Sequence, residues 1–173
     1  LIVLGMLKKE PMSAYDIQKL VEYRNISKWV KISTPSIYKK TIQLEQKGLI
    51  KGSIVKEGKM PEKVIYSLTE AGEKAFEKLM FDISSEPIHI FLDFNAVIVN
   101  LDSLPLEKKK RCIDSIEKKI KELKSYLEQN IREKENMPEI PATGMAVLQQ
   151  QFVLIEAIEM WIDSVKQCLN GNE

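Results

Sequence analysis

The chain has 173 residues, 44% of them hydrophobic and 29% charged, with 7 Gly and 7 Pro. That mixture excludes a disordered or collagen-like chain. No uninterrupted apolar run reaches the ~18 residues that cross a bilayer, so no membrane partner is expected. The net charge of +1 hides a division: residues 1–85 hold 15 Lys and Arg against 10 Asp and Glu, and residues 86–173 hold 11 against 15. A basic half joined to an acidic half suggests a nucleic-acid-binding part attached to something else.

Leu1-Ile2-Val3-Leu4 carries no charged leader and reads as the middle of a helix, so the natural chain is expected to begin a few residues earlier. The apolar run to Leu7 stops at Lys8-Lys9-Glu10-Pro11, because the residue before a proline is pushed out of helical geometry. Ser13 then caps a second helix, with Asp16 placed to return a capping-box bond. Tyr15, Ile17, Leu20 and Val21 mark its expected buried side, and Trp29 is the expected anchor of the irregular stretch from Tyr23 to Ile32. Ser33-Thr34-Pro35 starts a third helix that runs to Lys47, where Gly48 suits the left-handed residue that ends it. Its inward stripe is Ile37, Thr41 and Leu44, with Tyr38 beside it; its outward stripe is Ser36, Lys39, Lys40 and Gln43. Two β-branched runs, 49–55 and 64–68, flank a polar turn and predict a hairpin. Thr69 caps a helix from Glu70 to about Phe81.

Composition and charge change between Asp82 and Pro87, the expected domain boundary. Beyond it, Ile88 to Asn100 is almost wholly apolar and predicts a helix buried on most sides, although periodicity does not exclude a strand. A helix from about Pro105 to Lys134 carries Ile113, Ile116, Ile120, Leu123 and Leu127 at heptad spacing. After a break at 136–143, a last helix carries Leu148, Ile155, Ile162 and Leu169 in one stripe and Val147, Leu154, Trp161 and Cys168 in a second. The heptad seam needs a partner, which is either a second copy of the chain or another helix of the same one.

The order helix, helix, helix, hairpin, helix is that of a winged helix-turn-helix, so the expected fold is mainly α: this domain with a two-stranded wing at 1–82, and an α-helical dimerisation domain at 87–170. A helix fits the major groove while a second element follows the backbone. Thr34, Ser36, Lys39, Lys40 and Gln43 are expected to face the groove, and Lys56, Lys59 and Lys63 to follow phosphates from the wing. Tyr15 and Tyr38 are expected to pack, within reach of a phosphate. A plain solvated lysine face is the competing explanation.

Three motifs carry a family resemblance. Ser36-Ile37-Tyr38, Leu44-Glu45 and Gly48-Leu49-Ile50 resemble the Ser-Ile-Tyr, Leu-Glu, Gly-Leu-Ile string of the PadR family of transcriptional regulators. Met12 to Ile17 resembles that family's segment before it, and Tyr66 to Gly72 resembles its Tyr-x-Leu-Thr-x-x-Gly segment after the wing. The chain departs from the family at Lys39 (often Pro), Thr41 (Leu), Gln43 (Arg or Lys) and Met60-Pro61-Glu62-Lys63 (an Arg-Pro-Arg-type wing), which bears on base preference and affinity. The resemblance implies a homodimeric regulator, usually a repressor of operator DNA, held together by its C-terminal helices and responsive to a small molecule or cellular state. Ile113, Ile116, Ile120, Leu123, Leu127, Leu148, Ile155, Trp161 and Ile162 are then the expected dimerisation residues.

His89, Phe91, Phe94, Met145, Phe152, Met160 and Trp161 offer surface for a flat apolar or aromatic effector, with Phe94, Phe152 and Trp161 as the core of that expectation and ordinary packing as its rival. One histidine, scattered glycines and two cysteines 56 positions apart predict no enzyme, cofactor or metal site, and a reducing, cytoplasmic setting. Two other readings stay open: a winged-helix module that binds protein, and a small-molecule sensor without direct DNA binding.

Overall fold

The computed structural model describes residues 1–30, 32, 36–56 and 62–170. They fall into two units, Leu1–His89 and Ile90–Glu173.

In the first unit, α1 (Ile2–Lys9) stops before Pro11 and buries Val3, Leu4, Met6 and Leu7. The next helix, α2 (Ala14–Tyr23), begins with the expected capping box. Ser13 Oγ accepts the Asp16 N–H at 3.1 Å, and Asp16 Oδ2 accepts the Ser13 N–H at 3.3 Å. Ala14, Ile17 and Val21, spaced three and four, are its buried face. Tyr15 lies about 100° away from that stripe and is 56% exposed, with the Lys19 ammonium 5.5 Å from its ring centre; it is not the packing residue expected. Trp29 is likewise not the anchor of its stretch: it is 36% exposed, and the smaller Ile26, in a 3₁₀ turn at Ile26–Lys28, is buried instead. A bulky indole is seldom wholly enclosed.

The third helix, α3 (Ser36–Gln46), buries Ile37 and Thr41. The Thr41 hydroxyl donates to the Tyr38 carbonyl at 2.8 Å, so its burial leaves no orphan donor. Gly48 ends the segment at φ +67°. The Gly48 N–H reaches the Glu45 carbonyl at 2.8 Å and the Leu49 N–H reaches the Leu44 carbonyl at 3.0 Å, the paired bonds of a Schellman stop.

The hairpin is β2 (Ile50–Val55) and β3 (Lys63–Leu68), antiparallel, with Gly52 opposite Tyr66. The sheet has a third strand that the expected two-stranded wing lacks: β1 (Met12–Ser13) pairs with Tyr66 and Ile65, giving the order β1-β3-β2. Two residues are too few to show a strand's alternation. Then α4 (Glu70–Ser84) starts at Thr69, whose Oγ1 accepts the Gly72 N–H at 3.0 Å. The core of the unit joins residues of α1, α2 and α3 with Ile26, Ile50 and Tyr66.

The stretch expected to open the helical domain departs from expectation. Residues 88–94 are not helical; a short α5 (Asn95–Ile98) and a 3₁₀ turn at Leu101–Ser103 follow. Ile88 and Phe91 are 91% and 85% exposed rather than buried. A run that is apolar throughout has no face, so nothing in its pattern fixes a helix against a core. The rest is two long helices, α6 (Leu106–Lys134) and α7 (Ala142–Asn170), each about 43 Å long at 1.5 Å per residue. Leu101, Ile113, Ile120, Leu127, Ile155 and Ile162 form their shared core. Lysines clamp the antiparallel pair from both sides. Lys124 Nζ lies 2.7 Å from Glu159 and 3.5 Å from Glu156, and Lys166 Nζ lies 2.6 Å from Glu117 and 3.1 Å from Asp114. Among the described residues no helix is long and apolar enough to cross a membrane.

Two predictions follow from this packing. A Cβ on Gly72 would stand 1.9 Å from the Leu49 carbonyl oxygen. Gly72→Ala will therefore destabilise the protein by at least about 2 kcal/mol, read as a lower denaturant midpoint. The second concerns pH. Hydrogen bonds from Lys121 and then Lys166 hold the Glu117 carboxyl below its ordinary 4.5, and hydrogen bonds to Glu117 and Asp114 raise Lys166 above its ordinary 10.5. A lowered carboxylate contributes stability that is present above the unfolded value and lost as pH falls through the folded one. A raised ammonium contributes stability that is present below its unfolded value and lost as pH rises through the folded one. Thermal melts of the full chain will thus lose stability on both the acid and the alkaline side, and Lys166→Met will shrink both losses.

Candidate nucleic-acid interface

The first unit presents α3 and the wing as one braced surface. Glu45, near the end of α3, accepts the Gly52 N–H of β2 through Oε1 at 2.8 Å. Thr69 Oγ1 donates to the Gly48 carbonyl at 2.7 Å, and the Thr69 N–H reaches the Leu49 carbonyl at 3.2 Å. The helix, the turn after it and the wing are therefore tied by one carboxylate, one hydroxyl and one backbone bond, and their lysines project from that frame.

Within that frame Lys39 and Lys40 are exposed, and among the described residues neither engages in an ion pair. Ser36 and Gln43 are half-buried, not outermost as expected. Successive residues of a helix turn by 100°, so the exposed Lys39, Ile42 and Gln46 share one face, with the exposed Tyr38 and Lys40 to either side of it. Tyr38, expected to pack, is 46% exposed. Ile37 and Thr41, both fully buried, are the inward residues expected; the outward stripe was drawn from polar residue types alone. Ile42 was missed because it is apolar. Lys51, exposed on β2, was missed because it sits inside a strand run; alternation with the buried Ile50 was the available signal. On the wing Lys56 and Lys63 are exposed, and Lys56 Nζ lies 3.8 Å from Glu62. Thr34 and Lys59 lie outside the described residues.

The residues expected to hold two copies together are mostly used within one. Ile113, Ile120, Leu127, Leu148, Ile155 and Ile162 are buried in the chain itself, and Ile116 is half-buried against the same core. The heptad seam has its partner in α7, which corrects their assignment to a surface between copies. Leu123 and Trp161 keep an exposed side, and Val153, Leu154 and Met160 on α7 are exposed too.

Of the three central effector candidates, Phe94 and Trp161 stack on each other, ring centres 5.8 Å apart at 24°. Phe152 packs against the core cluster under the Lys124 ammonium, 5.9 Å from its ring centre. An open depression on α6 is lined by Asp114, Glu117, Lys118, Lys121, Glu122 and Ser125, and by none of these aromatics.

A three-helix core with a strand-paired wing, whose third helix turns a lysine-bearing ridge outward, is a winged helix-turn-helix domain. Over residues 3–78 the chain matches the model of the transcriptional regulator PadR-like family, so the resemblance carried by the three motifs extends over the whole of this domain. Solved structures extend the likeness of fold to the helical part. Bacillus subtilis PadR in complex with operator DNA is 20% identical, with a TM-score of 0.82 over 97% of this chain and 96% of that one. The same protein in complex with p-coumaric acid is 18% identical, with a TM-score of 0.79 over 97% and 93%. The PadR-like regulator BC1756 from Bacillus cereus is 20% identical, with a TM-score of 0.74 over 99% and 98%. No curated protein matches the sequence.

The brace gives its own prediction. Glu45→Ala will speed hydrogen exchange at the Gly52 amide while changing global stability by about 1 kcal/mol or less. Glu45→Gln, which keeps an acceptor oxygen, will leave that amide protected.

Proposed function

We propose that the chain is a PadR-like regulator, a homodimer that binds operator DNA and represses transcription, with α3 in the major groove and the wing lysines on the backbone. The observation that carries this reading is the outward ridge of α3, lysine-bearing and held to the wing by Glu45 and Thr69. The fold shared with a protein solved on its operator supports it. In this reading residues 1–82 read DNA and residues 87–170 join two copies, through the exposed Leu123, Leu154, Met160 and Trp161 rather than the enclosed Ile113, Ile120 and Leu127. A two-fold pair places its two α3 helices about 34 Å apart, one turn of B-DNA. A small apolar or aromatic effector, taken up by the helical part around Phe94, Phe152 and Trp161, releases the operator; the p-coumaric acid complex of the Bacillus subtilis protein supports that role. A regulator of this kind acts in the cytoplasm, carries no cofactor and catalyses no reaction.

The test is binding to the chain's own upstream region at several salt concentrations, with sedimentation to count copies. Lys56→Ala with Lys63→Ala will weaken binding to all duplexes and lower the salt slope by about one unit per lost phosphate contact. Gln43→Ala will change sequence preference more than overall affinity. Salt-insensitive retention, or a monomer at micromolar concentration, overturns the reading.

A further inference from the structure

We infer that Ile42 is a specificity-determining residue that reads the 5-methyl group of a thymine. This rests on α3 being the helix that enters the groove. On the face it shares with Lys39 and Gln46, Ile42 is 51% exposed and contributes nothing to the buried stripe, which Ile37 and Thr41 fill. Lys39 and Gln46 present a cation and an amide, groups that match the acceptors and donors of base edges. A branched aliphatic side chain matches none of them. The thymine methyl is the one apolar feature a major groove displays. Isoleucine suits the task because a β-branched side chain holds essentially one χ1 rotamer in a helix, so little freedom is lost on contact.

Placement narrows the target. Ile42 lies three residues beyond Lys39, about 4.5 Å along the helix axis, little more than the ~3.4 Å between successive bases of a strand. The thymine therefore neighbours the base pair that Lys39 meets. Phosphate-directed lysines on the wing give no such discrimination, because they see the same backbone at every sequence. Among the described residues of α3, the choice of thymine at that step falls to Ile42.

The experiment uses the full chain and a duplex that it selects from a random-sequence pool. Each thymine of the selected half-site is replaced in turn by deoxyuridine, which removes the methyl and nothing else. At one position the wild-type protein will bind about fourfold more weakly, the worth of one buried methylene-sized group. Ile42→Ala will bind the unmodified duplex about fourfold more weakly and become indifferent to deoxyuridine at that position; Ile42→Val will keep part of the penalty. Because Ile42 is not in the core, thermal melting of both variants will match the wild type. If the wild type tolerates deoxyuridine everywhere, or Ile42→Ala keeps the full penalty, Ile42 is not the reader. If no duplex is selected at all, the DNA-binding reading falls along with it.

Discussion

The Thr69 hydroxyl accepts the Gly72 N–H and donates to the Gly48 carbonyl, and the backbone of the same residue reaches the Leu49 carbonyl. One hydroxyl can do both, since it has one proton to give and lone pairs to spare. Three elements end or begin at that point: α3 stops, the wing strand starts, and α4 takes its first turn against the sheet. Lysine side chains are long and rotamer-rich, so they cannot themselves fix an angle between a helix and a wing. The angle comes from these short bonds between backbone and hydroxyl, and the lysines only extend from it. Gly72 belongs to the same constraint, because no side chain fits between the start of α4 and the Leu49 carbonyl.

Where the chain announces its structure, it does so through signals a few residues long. The Ser13–Asp16 box, the Gly48 stop and the Thr69 cap each depend on neighbours within three or four positions, and each holds in the structure. The heptad run in α6 was equally plain as a pattern but not as an assignment. Spacing shows that a stripe needs covering; it does not say whether the cover comes from α7 or from another copy. The stretch at 88–100 failed for the opposite reason, since its composition is strongly apolar and its pattern empty. At the candidate interface the residue types were legible and their direction was not. Counting lysines and glutamines found the helix, but only the exposure of Ile42 itself shows that it belongs to the outer face.

The helical part divides its side chains between two kinds of surface. Along the seam, aliphatic groups from α6 and α7 enclose one another, and lysine–carboxylate clamps at Lys124 and Lys166 reach across from opposite helices. Half-buried but solvent-reached ion pairs of this kind add only modest energy each. Their geometry still discriminates, because sliding either helix by one turn would bring unlike partners out of reach. Away from the seam, Leu123, Leu154, Met160 and Trp161 remain outward. More apolar surface is present than a single hairpin encloses, and the proposed pairing of two copies draws on it.

The sheet order β1-β3-β2 leaves β2 at the rim, a place where unsatisfied amides invite foreign strands to add on. The Glu45 carboxylate already occupies the Gly52 amide there. A negative charge lodged on the rim denies an approaching chain one of the rungs it would need and repels its carbonyls. The contact that steadies the wing thus also guards this protein against stacking edge to edge into aggregates.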